Sequence, residues 1–314
     1  MPTPETMIRV GTRASTLART QTAWVVEHLH AAGHRTVTET VSTRGDVATD
    51  VPIAGIRGGD GVFVRELERA LLDGQIDAAV HSLKDLPTEL PPGLELAAVP
   101  RRATPFDAFV GRTAPTLAGL PAGAVVGTSS VRRVMQLRAL RPDVVARAIR
   151  GNVDTRLARL DRGDCDGLIL AAAGLERLGL SGRVTELLRP AGFWPAIGQG
   201  ALVVQIRDDD AATRLALSAI DDHDSHAAVR AERACLARLA GGCLAPIGAW
   251  ARREEGRLVL GACVLGPRGD GVERIESTET AAEGESPEGL GRRVAGILVA
   301  RGADALLARA RHDA

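Results

Sequence analysis

The sequence predicts an α/β protein: two α/β domains in succession, followed by a smaller α+β domain. Three observations predict it. Between residues 8 and 100, short apolar strand patterns alternate with helical ones, the signature of a mostly parallel sheet wrapped by helices. After a proline-bounded stretch at 100–105 the same alternation starts again. From about residue 225 it gives way to one helix, three strand-like segments and a closing helix. At 314 residues the chain is long enough for two or three domains, each with its own core.

Each element has a local reason. Residues 8–11 read as a strand, and Ser15 stands as the N-cap of a helix that Gly33 stops. Residues 36–42 read as a second strand. A glycine-rich stretch at 54–61 leads into a helix over 62–72, and 76–81 form an apolar strand that ends in a polar turn at Lys84 and Asp85. In the second domain, 124–127, 144–149 and 168–171 read as strands. The helices there are 153–160 and one from the cap Ser130 to about 140. The Gly- and Pro-rich segment 193–200 reads as a second crossing point, followed by a strand at 202–206. In the last third, a helix over 225–239 is broken by Gly241-Gly242-Cys243. Segments 247–251, 257–265 and 271–279 read as antiparallel strands, with a turn at Gly266-Pro267-Arg268-Gly269-Asp270-Gly271. An amphipathic helix over 287–310 closes the chain.

Composition removes several classes of function. Basic and acidic residues balance at 39 each, which argues against a general nucleic-acid binder. Aromatic residues are 2% with no tyrosine, so stacking platforms are scarce and cores must be built from Ala, Val, Leu and Ile. The first ten residues hold no apolar signal core, and no apolar run is long enough to span a bilayer. A cytoplasmic location with no membrane or nucleic-acid partner is the expectation. Cys165, Cys235, Cys243 and Cys263 have no metal-type spacing, so no metal is expected and reduced thiols fit.

Charge chemistry is concentrated at strand ends. Arg13, Arg44 and Arg150 follow predicted strands, Arg132 and Arg133 open a helix, and Arg156 lies early in the next. Ligands of open α/β sheets bind outside the carboxyl ends of strands, where helix N-termini already favour anions. Guanidiniums gathered there suit a polycarboxylate or phosphate ligand. The competing reading is that an arginine-rich chain carries arginine on every solvated face. Lys84 is the one lysine in the sequence. Two readings stand for its neighbour Asp85: a loop cap, or a carboxylate that stabilises a cation or moves a proton. His81, inside the apolar strand, reads as a hydrogen-bonded core residue. Cys243 follows two glycines and reads either as a presented thiol, nucleophile or attachment point, or as an incidental cysteine.

The motifs taken together carry a resemblance. They are Arg13-Ala14-Ser15, Thr43-Arg44-Gly45-Asp46, and Ala79-Val80-His81-Ser82-Leu83-Lys84-Asp85-Leu86-Pro87. They continue with Val126-Gly127-Thr128-Ser129-Ser130-Val131-Arg132-Arg133 and Arg150-Gly151-Asn152-Val153-Asp154-Thr155-Arg156. Pro195-Ala196-Ile197-Gly198-Gln199-Gly200 and Gly241-Gly242-Cys243 complete the series. In this order and spacing they make the chain resemble the porphobilinogen deaminase (hydroxymethylbilane synthase) family along nearly its whole length.

The resemblance implies a transferase of tetrapyrrole (porphyrin and haem) biosynthesis. It joins four porphobilinogen units head to tail, releases ammonia at each step and yields hydroxymethylbilane. It implies a dipyrromethane cofactor held by a thioether to Cys243, and Asp85 facing pyrrole nitrogens during deamination and coupling. Arg13, Arg132, Arg133, Arg150, Arg156 and Arg177 are assigned to carboxylates of cofactor and substrate, and Lys84 to a cofactor carboxylate. Ser15, Ser82, Thr128, Ser129 and Ser130 add hydrogen bonds, Phe63 covers the rings and Gln199 lines the site. The fold implied is two periplasmic-binding-protein-like α/β domains flanking a cleft, plus a small α+β C-terminal domain. Its boundaries are 1–100 with 201–220, then 101–200, then 221–314. A monomer is implied, with product handed to uroporphyrinogen-III synthase. The chain departs from the family pattern at Asp60, where many relatives have lysine, and at Ala240 and Leu244. The rival reading is a non-catalytic, two-lobed cytoplasmic ligand-binding protein, which would need neither Cys243 nor Asp85.

Overall fold

The computed structural model describes residues 7–41, 64–239 and 245–312. The chain divides into two units, Met1–Ala103 with Ala201–His226 and Thr104–Gly200 with Ala227–Ala314.

In the first unit, β1 (Ile8–Arg13) is followed by α1 (Thr16–Ala31) and β2 (Thr36–Val41), and the two strands pair in parallel. Ser15 caps α1, its Oγ accepting from the Ala18 N–H at 3.3 Å. The helix ends before Gly33, whose φ of +89° a side chain would resist. α2 (Arg65–Leu72) leads to β3 (Ala78–Ser82), the second parallel neighbour of β1. A 3₁₀ turn, Leu83–Asp85, and β4 (Leu94–Ala98) follow. Successive side chains of β3 serve opposite faces. Ala78 and Val80 join Val25 and Leu29 of α1, while Ala79 joins Leu67 and Leu71 of α2. Each buried leucine or valine contributes about 1.5–3 kcal/mol, so both faces hold the strand that leads into the turn.

The second unit repeats the scheme with β5 (Asp107–Gly111), β6 (Val125–Gly127), α3 (Val131–Leu140) and β7 (Val145–Arg147). It continues with α4 (Val153–Asp161), β8 (Gly167–Ala171), α5 (Ala172–Arg177) and β9 (Glu186–Leu188). The sheet order is β7-β6-β8-β5-β9. β6 runs parallel to β7 and β8, and β5 antiparallel to β8 and β9. β4, β5 and β9 go beyond the strands expected from the sequence. They have three to five residues each, too few for a period to declare itself.

The chain then returns to the first unit. β10 (Leu202–Arg207) inserts antiparallel between β3 and β4, giving the order β2-β1-β3-β10-β4. α6 (Ala211–Leu217) and α7 (His223–Arg238) follow, and the division between the units falls within α7. β11 (Ile247–Glu254), β12 (Arg257–Arg268) and β13 (Gly271–Thr280) form an antiparallel sheet. The single closing helix expected over 287–310 is in fact two, α8 (Pro287–Ala300) and α9 (Ala303–His312). The break is Gly302, at φ +98°, whose N–H turns back to the Val299 carbonyl at 2.9 Å. The α/β class holds: two mixed sheets and a smaller antiparallel one.

Candidate active site and cofactor site

In the first unit the candidate residues gather at the carboxyl ends of β1 and β3. Arg13 ends β1, and Ser15 caps the helix behind it. Ser82 ends β3 and is tied to α1, Gln21 Nε2 donating to its Oγ at 2.9 Å. The turn that follows has an alternating burial pattern. Leu83 and Leu86 are buried, whereas Lys84 and Asp85 are half-buried. The Leu83 N–H donates to the Ala201 carbonyl at 3.1 Å and the Leu86 N–H to the Leu83 carbonyl at 3.1 Å. Two apolar pegs and two backbone hydrogen bonds therefore present Lys84 and Asp85. Among the described residues, no hydrogen bond or ion pair engages the Asp85 carboxylate. That weighs against the loop-cap reading, which needs a backbone N–H on that carboxylate.

Behind the turn lies a buried polar group. His81 is buried as expected of a core histidine, and its Nε2 has no hydrogen-bond partner. Burial lowers its pKa; Gln205 opposes this in part and Arg13 adds to it, and the imidazole sits at about 4. It is therefore neutral at physiological pH. Gln205 in turn donates from Nε2 to Glu68 Oε1 at 3.3 Å, and burial raises the Glu68 pKa.

In the second unit everything converges on the same end of the sheet. Thr128–Ser130 follow β6, Arg150 follows β7, and Arg177 ends the helix that follows β8. Asp107, at the head of antiparallel β5, lies opposite Ala171 at the tail of β8. Arg132 Nη1 donates to Asp107 Oδ2 at 2.8 Å. Arg133 donates to Oδ1 from Nε at 2.9 Å and from Nη2 at 2.6 Å, and from Nη1 to the Ile169 carbonyl at 2.9 Å. Gln199 Nε2 adds a bond to Asp107 Oδ1 at 3.0 Å and another to the Pro105 carbonyl at 2.7 Å. Burial works to raise the Asp107 pKa, but the two guanidiniums outweigh it and bring the carboxyl down to about 2.

Further cations surround this cluster. Arg156 donates from Nε to the Gly151 carbonyl at 2.7 Å. Burial, then the like charges of Arg133 and Arg150, lower its pKa to about 10. Arg177 is lowered to about 10 by burial and donates to the Gly200 carbonyl at 2.7 Å.

The structure revises several individual assignments. Arg132 and Arg133 were expected to take ligand carboxylates directly; they are buried and already share a carboxylate of the protein. Ser129 Oγ donates to the Ile149 carbonyl at 2.9 Å, and Thr128 Oγ1 accepts from the Ser130 N–H at 3.3 Å, so both hydroxyls build the wall. Ser130 stands at the N-cap of α3, but its side chain makes no cap bond there. Phe63, Arg44, Asp60 and Cys243, with Ala240 and Leu244, lie outside the described residues. Asp107 was missed, because nothing in the short segment around it marks it as the buried partner of Arg132 and Arg133.

A family model described as the porphobilinogen deaminase dipyromethane cofactor binding domain matches residues 8–215, and one for the C-terminal domain of the same family matches 226–300. The chain belongs to the porphobilinogen deaminase family. It is 48% identical to the porphobilinogen deaminase of Roseiflexus sp. (strain RS-1), over 95% of this chain and 98% of that one. It is 49% identical to that of Desulforudis audaxviator, over 97% and 98%. Among solved structures it is similar to the methionine-binding protein MetQ, with a TM-score of 0.42 at 14% identity over 70% of this chain and 92% of that one.

The protein is thus a hydroxymethylbilane synthase of tetrapyrrole biosynthesis, and its cofactor is dipyrromethane; the non-catalytic reading falls away. The residues fit that group. Dipyrromethane bears an acetate and a propionate on each ring, and Arg150, Arg156 and Arg177, which follow β7 and β8 in the second unit, are guanidiniums of the kind that pairs with such carboxylates.

Proposed function

We propose that Asp85 is the catalytic group of this synthase and that Cys243 carries the cofactor through a thioether. Arg13, Lys84, Arg150, Arg156 and Arg177 receive the carboxylates of cofactor and substrate, with Ser15, Ser82, Ser130 and Phe63 beside them. Arg132, Arg133, Thr128, Ser129 and Gln199 shape the wall that holds these groups, through Asp107 and neighbouring carbonyls. The observation that carries the reading is where the second unit places its cations: Arg150 follows β7, Arg156 lies in the first turn of α4, and Arg177 ends the helix after β8.

The chemistry follows from the same residues. Porphobilinogen loses its aminomethyl nitrogen as ammonia, and positive charge develops on the pyrrole nitrogen. Asp85, presented by Leu83 and Leu86 and engaged by no other group among the described residues, stabilises that charge where it forms. When bound, dipyrromethane supplies the free ring carbon to which the first substrate ring is joined. Arg13 holds carboxylates of cofactor and substrate and Lys84 a cofactor carboxylate, so that the two carbons meet in one orientation, and proximity does the rest.

The C-terminal segment forms a domain of its own within the second unit, so that three domains span 1–100 with 201–220, 101–200 and 221–314. The enzyme is placed in the cytoplasm; no described helix is long and apolar enough to cross a membrane. It works as a monomer and passes its product to uroporphyrinogen-III synthase. Intact mass spectrometry tests the attachment. The purified protein is expected to carry one added dipyrromethane, and Cys243→Ser to carry none. A freshly purified, active protein of unmodified mass would remove Cys243 from this role.

A further inference from the structure

Aromatic residues are scarce in this chain: four Phe, three Trp and no Tyr. Within the second unit three of them, Phe106, Trp194 and Trp250, mark a seam where the β5–β9 sheet meets the β11–β13 sheet. Phe106, just before β5, and Trp250, on β11, meet edge to face with ring centroids 5.1 Å apart. Trp194 packs with Met135 of α3 and with Cys263 and Leu265 of β12. Its Nε1 donates to Glu276 of β13. Gly261 seats the indole: a Cβ there would run into the ring, 2.6 Å from Cζ3, and would also lie 2.9 Å from Thr278 Oγ1. Gly248 lets β11 approach the segment itself, since a Cβ there would lie 2.5 Å from the Trp194 Cβ.

The segment around Trp194 reaches into every part of this unit. Phe193 is buried in the core of the first sheet with Phe109, Leu137 and Ile169. Ile197 is buried in the core of the C-terminal sheet with Ile247 and Leu260. The Gly198 N–H donates to Glu232 Oε2 at 2.7 Å, and Glu232 Oε1 accepts from the Ala251 N–H of β11 at 2.8 Å. Gln199 ends in the Asp107 cluster. The Trp194 main chain is gripped by Gln136, its carbonyl accepting from Nε2 at 3.1 Å, and the same carbonyl accepts from Arg132. Cys243 falls in the short connection between α7 and β11, both of which Glu232 ties to this segment.

We propose that Trp194 is a positioning residue for porphobilinogen assembly. It keys the C-terminal sheet onto the β5–β9 sheet, so that the arginine cluster, α7 and β11 form one body. Its carbonyl sets Arg132 within that body. The inference rests on the assignment of the arginines to ligand carboxylates and of Cys243 to attachment. It goes further in naming what holds the two in register, and in assigning Gly261 to indole accommodation.

A double-mutant cycle on the loaded enzyme tests the key directly. Trp194→Leu is expected to fold and retain the cofactor mass. Its KM for porphobilinogen should rise about 5-fold while kcat changes less than about 2-fold, the pattern of a shifted binding group. Gly261→Ala is expected to lower the melting temperature and raise KM, because its methyl meets the indole. Combining the two should recover the part of the Gly261→Ala loss that comes from the indole, leaving the part that comes from Thr278 Oγ1. Wild-type KM in Trp194→Leu overturns the proposal, as does Gly261→Ala doing equal damage in both backgrounds. If Trp194→Leu does not fold, Trp194→Phe in the same cycle decides: recovery of Gly261→Ala supports the key, and its absence overturns it. Arg156→Leu separates the layers. Recovery in the cycle with an unchanged KM in Arg156→Leu would leave the key standing and remove the carboxylate assignment. A raised KM in Arg156→Leu without recovery would do the reverse.

Discussion

The two units end their parallel strands in the same way and furnish those ends differently. In the first, the Asp85 carboxylate stands on a turn with no hydrogen bond or ion pair among the described residues. In the second, Asp107 is buried at the centre of an ion-paired cluster with Arg132, Arg133 and Gln199. One carboxylate is kept available and the other is consumed. Chemistry on a developing cation needs a group whose partner is the substrate; a ligand cradle needs side chains whose geometry is fixed before the ligand arrives. The difference teaches that residue type says little here and pairing says nearly everything.

The comparison can be broken most directly at the two acids. Asp107→Ala leaves two guanidiniums buried without their carboxylate and is expected to cost about 3–5 kcal/mol of stability, measured by denaturant unfolding. Asp85→Asn, in contrast, should unfold like the parent while turnover falls at least about 100-fold, roughly 3 kcal/mol of transition-state stabilisation. Near-normal ammonia release by that variant would take Asp85 out of the chemistry.

The buried imidazole gives a pH test that belongs to the first unit alone. His81 has a folded pKa of about 4 against an ordinary 6.5. Between those values the unfolded chain binds a proton that the folded chain refuses. Stability should therefore fall as pH drops through that window and level off below it, by on the order of 3 kcal/mol in all. In His81→Gln this part of the pH–stability curve should flatten; an unaltered slope assigns the effect elsewhere.

The smallest expected effect sharpens the cradle. Arg156→Leu should raise KM for porphobilinogen about 10-fold, about 1.4 kcal/mol, with folding intact. A variant with parental KM would count Arg156 among the structural arginines.

Much of this was legible in the sequence, for identifiable reasons. The Lys84–Asp85 turn stood out because an apolar strand ran straight into charged residues, and buried Leu83 and Leu86 on either side keep that contrast in the folded chain. The gathering of Arg132, Arg133, Arg150 and Arg156 at strand ends followed from parallel topology alone. Their pairing did not. Asp107 meets Arg132 only because β5 runs antiparallel to β8, and a five-residue strand leaves no periodic trace of its direction. Nor could the sequence say that Ser129 and Thr128 spend their hydroxyls on neighbouring backbone. The closing helix was drawn too long because a helical period continues on both sides of Gly302, and only the backbone dihedral shows the break.

The crowding of Arg156 by Arg133 and Arg150 has a consequence for how the protein matures. Keeping the Arg156 guanidinium charged while it is largely withdrawn from water and near like charges is a cost to the fold. Every carboxylate that settles there then acts on two equilibria at once, occupancy and folding, and the two are thermodynamically linked. For a catalyst that retains its own primer, acquiring that primer and tightening the fold become the same event.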